Sequence, residues 1–192
     1  MSFDNFRVYL RAFEPEDYKT TINWRKDSKI WNDVVGRKYF VSSEYEKKWI
    51  NDSIFNNQNN VVLAVCLKED DSLIGIVILR NIDWFNRNAS FSKMIGERKM
   101  WGKGLGKELT MLMLYHGLIE LGLERIYARQ LLDNVASIKV NERCGFKNEG
   151  VLRKEVFKNG EFHDLNVMGV IRQDFEELLA NVTVEQLEHT AN

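Results

Sequence analysis

Residues 101–106 read WGKGLG, three glycines at alternate positions, and the apolar run LTMLMLYHGLIEL follows almost at once. A glycine inside a helix costs about 1 kcal/mol relative to alanine, so three at a helix entrance point to a requirement other than helicity. Close approach of the backbone to a ligand is such a requirement. Bare main-chain N–H groups at the mouth of a helix, where the dipole favours anions, make a cradle suited to a pyrophosphate. A sharp strand-to-helix turn also selects glycine, and the cluster alone does not separate the two. Arg98, Lys99, Lys103 and Lys107 outnumber Glu97 and Glu108 here, so the segment is locally positive in a chain of formal net charge -1.

Two familiar phosphate motifs fail on counting. A P-loop has four residues between its first glycine and Gly-Lys-Ser/Thr, whereas five separate Gly96 from Gly102-Lys103, and Gly104 replaces the hydroxyl. The dinucleotide fingerprint needs a glycine at the position occupied by Lys107.

At 192 residues and 44% hydrophobic, the chain suits one domain with a well-formed core, expected over residues 1–180 with a charged tail at 181–192. The near-zero net charge gives no field that would draw nucleic acid or an anionic membrane. No stretch approaches the ~20 apolar residues of a membrane span, and the opening MSFDNFRVYL lacks the pattern of a signal peptide. A cytoplasmic location is the expectation. Cys66 and Cys144 are too few for a disulfide framework and do not cluster with histidine, so both are expected as free, buried thiols and no metal is expected.

Strand character in FRVYLRAF gives way to EPED and helical spacing of Tyr18, Ile22 and Trp24; a second helix fits Ser43 to Phe55 behind the cap-like Ser42-Ser43. VVLAVCL, LIGIVILR and ASFSKMI, separated by turn residues, predict an antiparallel meander. The long apolar helix of residues 105–121 with Gly122 as its stop, the strand RIYARQL and a helix from Asn134 to Cys144 come next. Asn159-Gly160, between VLRKEVFK and EFHDLNVMGVI, predicts a hairpin with a type I' turn.

The opening RVYLRAFEPEDY with NWRKD, the stretch ASFSKMIGERKMWGKGLGKEL, the segment DNVASIKVNERCGF and the ending EGVLRKEVFKNGEFHDLNVMG occur in the order seen in the GNAT acetyltransferases, and the chain resembles their RimJ/RimL-like branch. The resemblance covers most of the chain. It implies an α/β (α+β layered) fold, a mixed, mostly antiparallel sheet splayed into a V and flanked by helices, with acetyl-CoA in the opening. It assigns Gly102, Lys103, Gly104, Leu105, Gly106 and Lys107 to the pyrophosphate cradle, with Trp101 where many relatives carry Gln or Arg. It implies that the strand ending at Met94 and Ile95 pairs with the pantetheine arm, and that Asn134, Ser137 and Asn141 line its other side. Asn134 at this boundary also suits a helix cap.

Acetyl transfer from a thioester needs a neutral amine, a donor for the developing oxyanion and help for the departing thiolate. A main-chain N–H near Met94 or Ile95 suits the second role. Many relatives place a tyrosine, the presumed general acid, where this chain has Asn141, which donates a hydrogen bond but releases no proton near neutral pH. Relatives often carry a glutamate where Ser90 stands. His163, with Asp164 beside it on the opposite strand face, is the alternative base, and a surface histidine beside a structural aspartate is the competing expectation. Cys144 has no sequence-local base to make it a nucleophile, so direct transfer to the amine is preferred. Trp84, Phe85 and Tyr39 are expected at the acceptor pocket, and Trp24 and Trp31 in the core. The expected acceptor is a small-molecule amine or a peptide N-terminus: the classes in view are peptide N-termini, polyamines and amino sugars. A non-catalytic acyl-CoA sensor and an antibiotic-modifying acetyltransferase are the alternatives, and the edge of the late hairpin suits a homodimer.

Overall fold

The computed structural model describes residues 3–36, 40–56 and 58–190, the last segment from 182 onward as backbone only. In chain order its elements are β1 (Val8–Arg11), α1 (Tyr18–Lys26), α2 (Ser28–Asp33), α3 (Ser43–Phe55), β2 (Val61–Leu67), β3 (Leu73–Asp83), β4 (Asn88–Ile95), α4 (Leu105–Leu114), β5 (Arg125–Leu131), α5 (Val135–Glu142), β6 (Lys147–Lys158), β7 (Glu161–Ile171) and α6 (Arg172–Thr190). The strands form one sheet in the order β1-β2-β3-β4-β5-β7-β6. Every neighbouring pair is antiparallel except β4 and β5, which the crossover through α4 makes parallel. This is the expected α/β fold class. α6 runs on across the 180/181 boundary at which the tail was expected to begin.

Both faces of the sheet are covered at β3, which explains why that strand reads as an almost unbroken apolar run. Val77 and Leu79 enter the cluster that includes Phe91, Leu109, Met113, Leu118 and Ile126. Ile76 and Ile78 enter the opposite cluster with Phe13, which follows β1, and with Trp24, Ile30 and Ile50 from the first three helices. The Ser42 hydroxyl accepts from the Tyr45 N–H at 3.1 Å, so the serine cap starts α3 as its sequence position suggests.

The apolar helix expected over residues 105–121 divides. α4 ends at Leu114, and Tyr115–Glu120 form a wider, π-helical turn. Gly117 lies in that turn with almost no room for a side chain: a Cβ there would fall 2.7 Å from Ile126 and 2.9 Å from Leu79. The widened turn thus seats the helix backbone directly on the sheet.

The β6–β7 hairpin turns at Asn159 (φ 53°) and Gly160 (φ 89°), the two positive angles a type I' turn requires. Behind the turn, the Lys158 ammonium donates to the carbonyls of Trp31, Asn32 and Val34 at the end of α2. These bonds fasten the hairpin to α2.

Candidate functional site

β4 and β5 are hydrogen-bonded only from Asn88↔Arg125 to Phe91↔Ala128. Beyond those pairs β4 continues to Ile95 along β3, and β5 continues to Leu131 along β7, so the two strands part in the middle of the sheet. An unpaired strand edge inside a sheet leaves main-chain donors and acceptors without their natural partners, and a ligand is one way to satisfy them.

The open edge of β4 leads into the glycine turn. Gly102 (φ 72°) and Gly104 (φ 82°) are both left-handed, and Gly104 is the N-cap of α4. Leu105 is buried and anchors the helix start, so its contribution to the cradle is its main chain. Arg7 fastens the turn from β1's side: its guanidinium donates to Glu108 Oε1 through Nε at 2.8 Å and to the Lys103 carbonyl at 2.8 Å. This pairing neutralises the carboxylate in the first turn of α4 and keeps the helix mouth attractive to anions. Trp101 Nε1 donates to the Ile95 carbonyl at 2.8 Å, joining the cradle to the end of β4.

A row of polar side chains crosses the fork between the two open arms. Lys93 Nζ, from β4, donates to Asn141 Oδ1 at 2.5 Å and to Thr110 Oγ1 at 3.1 Å. Asn141 Nδ2 donates to Gln130 Oε1 of β5 at 3.2 Å. Gln130 Nε2 and Asn166 Oδ1, on paired positions of β5 and β7, are buried with no hydrogen-bond partner among the described residues. Loss of water around the Lys93 ammonium brings its pKa down to about 8. Burial pushes the neighbouring Cys144 thiol up to about 11, so it is protonated at neutral pH and supplies no counter-charge. Lys93 and Gln130 were not among the residues expected from sequence. A signal for Lys93 existed: it shares one face of β4 with Ala89 and Phe91, both buried, so strand alternation sends a cation inward.

The model of the acetyltransferase (GNAT) domain matches residues 7–147. The chain belongs to the GNAT acetyltransferase family. Among its relatives is the spermidine N(1)-acetyltransferase of Vibrio cholerae serotype O1, 28% identical over 171 residues, spanning 89% of this chain and 96% of the relative. The uncharacterized N-acetyltransferase p20 of Bacillus licheniformis is 27% identical over 177 residues, spanning 88% and 95%. The crystal structure of spermidine N-acetyltransferase from Vibrio cholerae in complex with CoA and spermine superposes with a TM-score of 0.81 at 27% identity, covering 88% of this chain and 98% of that one.

In this acetyltransferase, Asn141 is 2% exposed and sits at the fork, bonded to both arms. Asn134 caps α5 by accepting from the Ser137 N–H at 3.0 Å, and its Nδ2 donates to the Asp33 carbonyl at 2.8 Å. Its side chain is thus committed to joining α5 to α2. His163 Nε2 lies 3.1 Å from the Lys158 carbonyl, within the hairpin, and Asp164 accepts from the Lys154 N–H at 2.7 Å where β6 bulges. Both therefore have structural partners. Trp84 and Phe85 are exposed in the β3–β4 turn, at the end of β4 that β5 still pairs with, so they are not brought to the fork. Tyr39 lies outside the described residues. Trp24 is core as expected, and Trp31 is half-buried, its Nε1 donating to the Trp24 carbonyl. Among the described residues, no group of three or more His, Cys, Asp or Glu is placed to hold a metal, and no helix is long and apolar enough to cross a membrane.

Proposed function

We propose that this acetyltransferase holds acetyl-CoA in the fork and transfers the acetyl group directly to a primary amine, with polyamines of the spermidine class as acceptors. The observation that carries the proposal is the parting of β4 from β5 after Phe91 and Ala128, which runs an unpaired strand edge into a glycine turn at a helix mouth. The residues fit such a ligand. A Cβ at Gly102 would meet nothing within 4 Å, and one at Gly104 only the end of the Arg7 side chain at 3.5 Å, so the main chain there is open to a diphosphate.

Residues 102–107 would hold the diphosphate, the main chain of Met94 and Ile95 would flank the pantetheine arm, and Ser137 and Asn141 would line the opposite side. Bound acetyl-CoA supplies an activated acetyl thioester. The chain's share is orientation, a main-chain N–H near Met94 or Ile95 aimed at the acetyl oxygen, and a floor of buried side chains that excludes water. Burial lowers the Lys158 pKa, and the charges of Asp33 and Asp133, at the junction of α2 and α5, work against that shift. The same negative field suits the distal ammonium groups of a polyamine. The Vibrio relative named for spermidine, and its structure with spermine, support the same class. A cytoplasmic location and a homodimer paired along the outer edge of β6 accompany the proposal.

A turnover assay tests it, following free thiol release from acetyl-CoA with spermidine, spermine, a peptide N-terminus in the RimJ/RimL manner, an amino sugar and an aminoglycoside. Spermidine and spermine are expected to give the largest kcat/KM. Coenzyme binding without thiol release across the panel would support the sensor alternative instead.

A further inference from the structure

A lysine drawn out of water with no carboxylate against it is a cost that packing alone does not explain. In the described residues the Lys93 ammonium has Thr110 Oγ1, Asn141 Oδ1 and the face of the Phe91 ring (5.4 Å) around it. An ammonium carries three N–H donors, and these contacts take two. Thr110 Oγ1 spends its own proton on the Gly106 carbonyl at 2.6 Å, so it only accepts from Lys93. The third N–H is left for a ligand. Its place is also informative, because Thr110 is one helical turn beyond the glycine cradle and Asn141 spans the fork. The ammonium therefore lies between the helix mouth and the parting strands, on the course of an arm running from one to the other.

We propose that Lys93 is the proton donor to the coenzyme's sulfur in this acetyltransferase, held in position by Asn141 and Thr110 and taking the role for which Asn141 itself has no proton. The proposal rests on the acetyl-transfer function above. As the amine nitrogen bonds to the acetyl carbon, the carbon–sulfur bond breaks and its electron pair stays on sulfur. Sulfur takes a proton from Lys93 Nζ, the acylated nitrogen loses its surplus proton to water, and Lys93 regains a proton from solvent. Its depressed pKa keeps the ammonium charged at neutral pH while easing proton release. The titratable neighbour is Cys144, in the turn after α5, held neutral by burial; Lys107 on α4 acts on Cys144.

The experiment uses the full chain, Lys93→Met and Lys93→Arg, with coenzyme A as probe. The thiol of bound coenzyme A is titrated by thiolate ultraviolet absorbance, with the free protein subtracted. In the wild type it is expected to titrate below the free coenzyme, in Lys93→Met about a unit higher than in the wild type, and in Lys93→Arg near the wild type. Coenzyme Kd is expected to stay within about threefold while kcat falls about 100-fold in both variants, with the fall of kcat above pH of about 8 abolished. Lys93→Met is expected to melt no lower than the wild type: the folded pKa lies below the unfolded one, so this charge opposes folding below about 8 and the opposition fades as pH rises toward 10.5. An unchanged thiol titration, or wild-type kcat, in folded Lys93→Met would overturn the proposal. A wild type inactive on every amine would instead sink the acetyl-transfer function, while the thiol titration would still decide where the Lys93 charge acts.

Discussion

Gly104→Asn is expected to weaken coenzyme A binding about 30-fold while leaving the fold intact. Gly104 is left-handed (φ 82°) and caps α4, and asparagine is the side-chain-bearing residue that tolerates this conformation best. The substitution therefore separates crowding of the cradle from backbone strain. Gly104→Val is expected to lose at least as much affinity, but it adds a strained β-branched residue and so mixes the two effects. Gly106→Ala is the control: its Cβ would make ordinary contacts with Val140 at 3.7 and 3.8 Å, inside a helix where alanine is favoured. Affinity near the wild-type value is expected there, with stability raised by up to about 1 kcal/mol. Calorimetric titration with coenzyme A reads all three. Full affinity in folded Gly104→Asn would mean that the ligand does not approach this backbone.

Gly96→Ala is expected to be the most damaging single-methyl change at the site. A Cβ there would fall 2.0, 2.3 and 2.5 Å from atoms of the Trp24 indole. The ring cannot easily retreat: it is 3% exposed, and its Nε1 donates to Glu97 Oε1 at 3.1 Å. Overpacking of this kind costs about 3 kcal/mol, or about 10 °C of melting temperature in a chain of this size. The physical cause is local, so shrinking the partner should relieve it: Gly96→Ala combined with Trp24→Leu is expected to cost less than the sum of the two single changes. The strain falls where β4 hands over to the turn before the cradle, and coenzyme affinity should fall with stability. A melting temperature within a degree of the wild type would contradict the seating of α1 on β4.

The sequence carried the parts of the fold that depend on local chemistry. Asn159-Gly160 encodes the hairpin turn, Ser42 the start of α3 and Asn134 the start of α5, because each acts on backbone within a few residues of itself. α2 was missed because six residues are too few to set a helical period; Asp27, accepting from the Lys29 N–H, was its only local mark. The π-helical turn was missed because Gly117 makes sense there only against Leu79 and Ile126, residues distant in sequence. The fork has no periodic signature, since nothing in ASFSKMI or RIYARQL says where their pairing stops, and it was anticipated only through family resemblance.

The site divides in the same way. The cradle is main-chain chemistry and announces itself through glycines. Asn134 was expected to line the cofactor, a role compatible with capping; the cap is formed, and its Nδ2 is bonded to α2. Strand alternation marks Lys93 only as a cation turned inward; its place in the site becomes legible when Asn141 and Thr110, from two other elements, meet its ammonium and Asn141 links it to Gln130. The aromatics at 84 and 85 drew attention by their place before β4, yet direction along the strand, which composition does not encode, puts them at its closed end.

A crystal structure of the complex with coenzyme A bears most directly on the whole scheme. Diphosphate oxygens within hydrogen-bond distance of main-chain nitrogens in residues 102–107, with the pantetheine arm along Met94 and Ile95, are the expected result. A diphosphate bound elsewhere, with the glycine turn left to solvent, would contradict it.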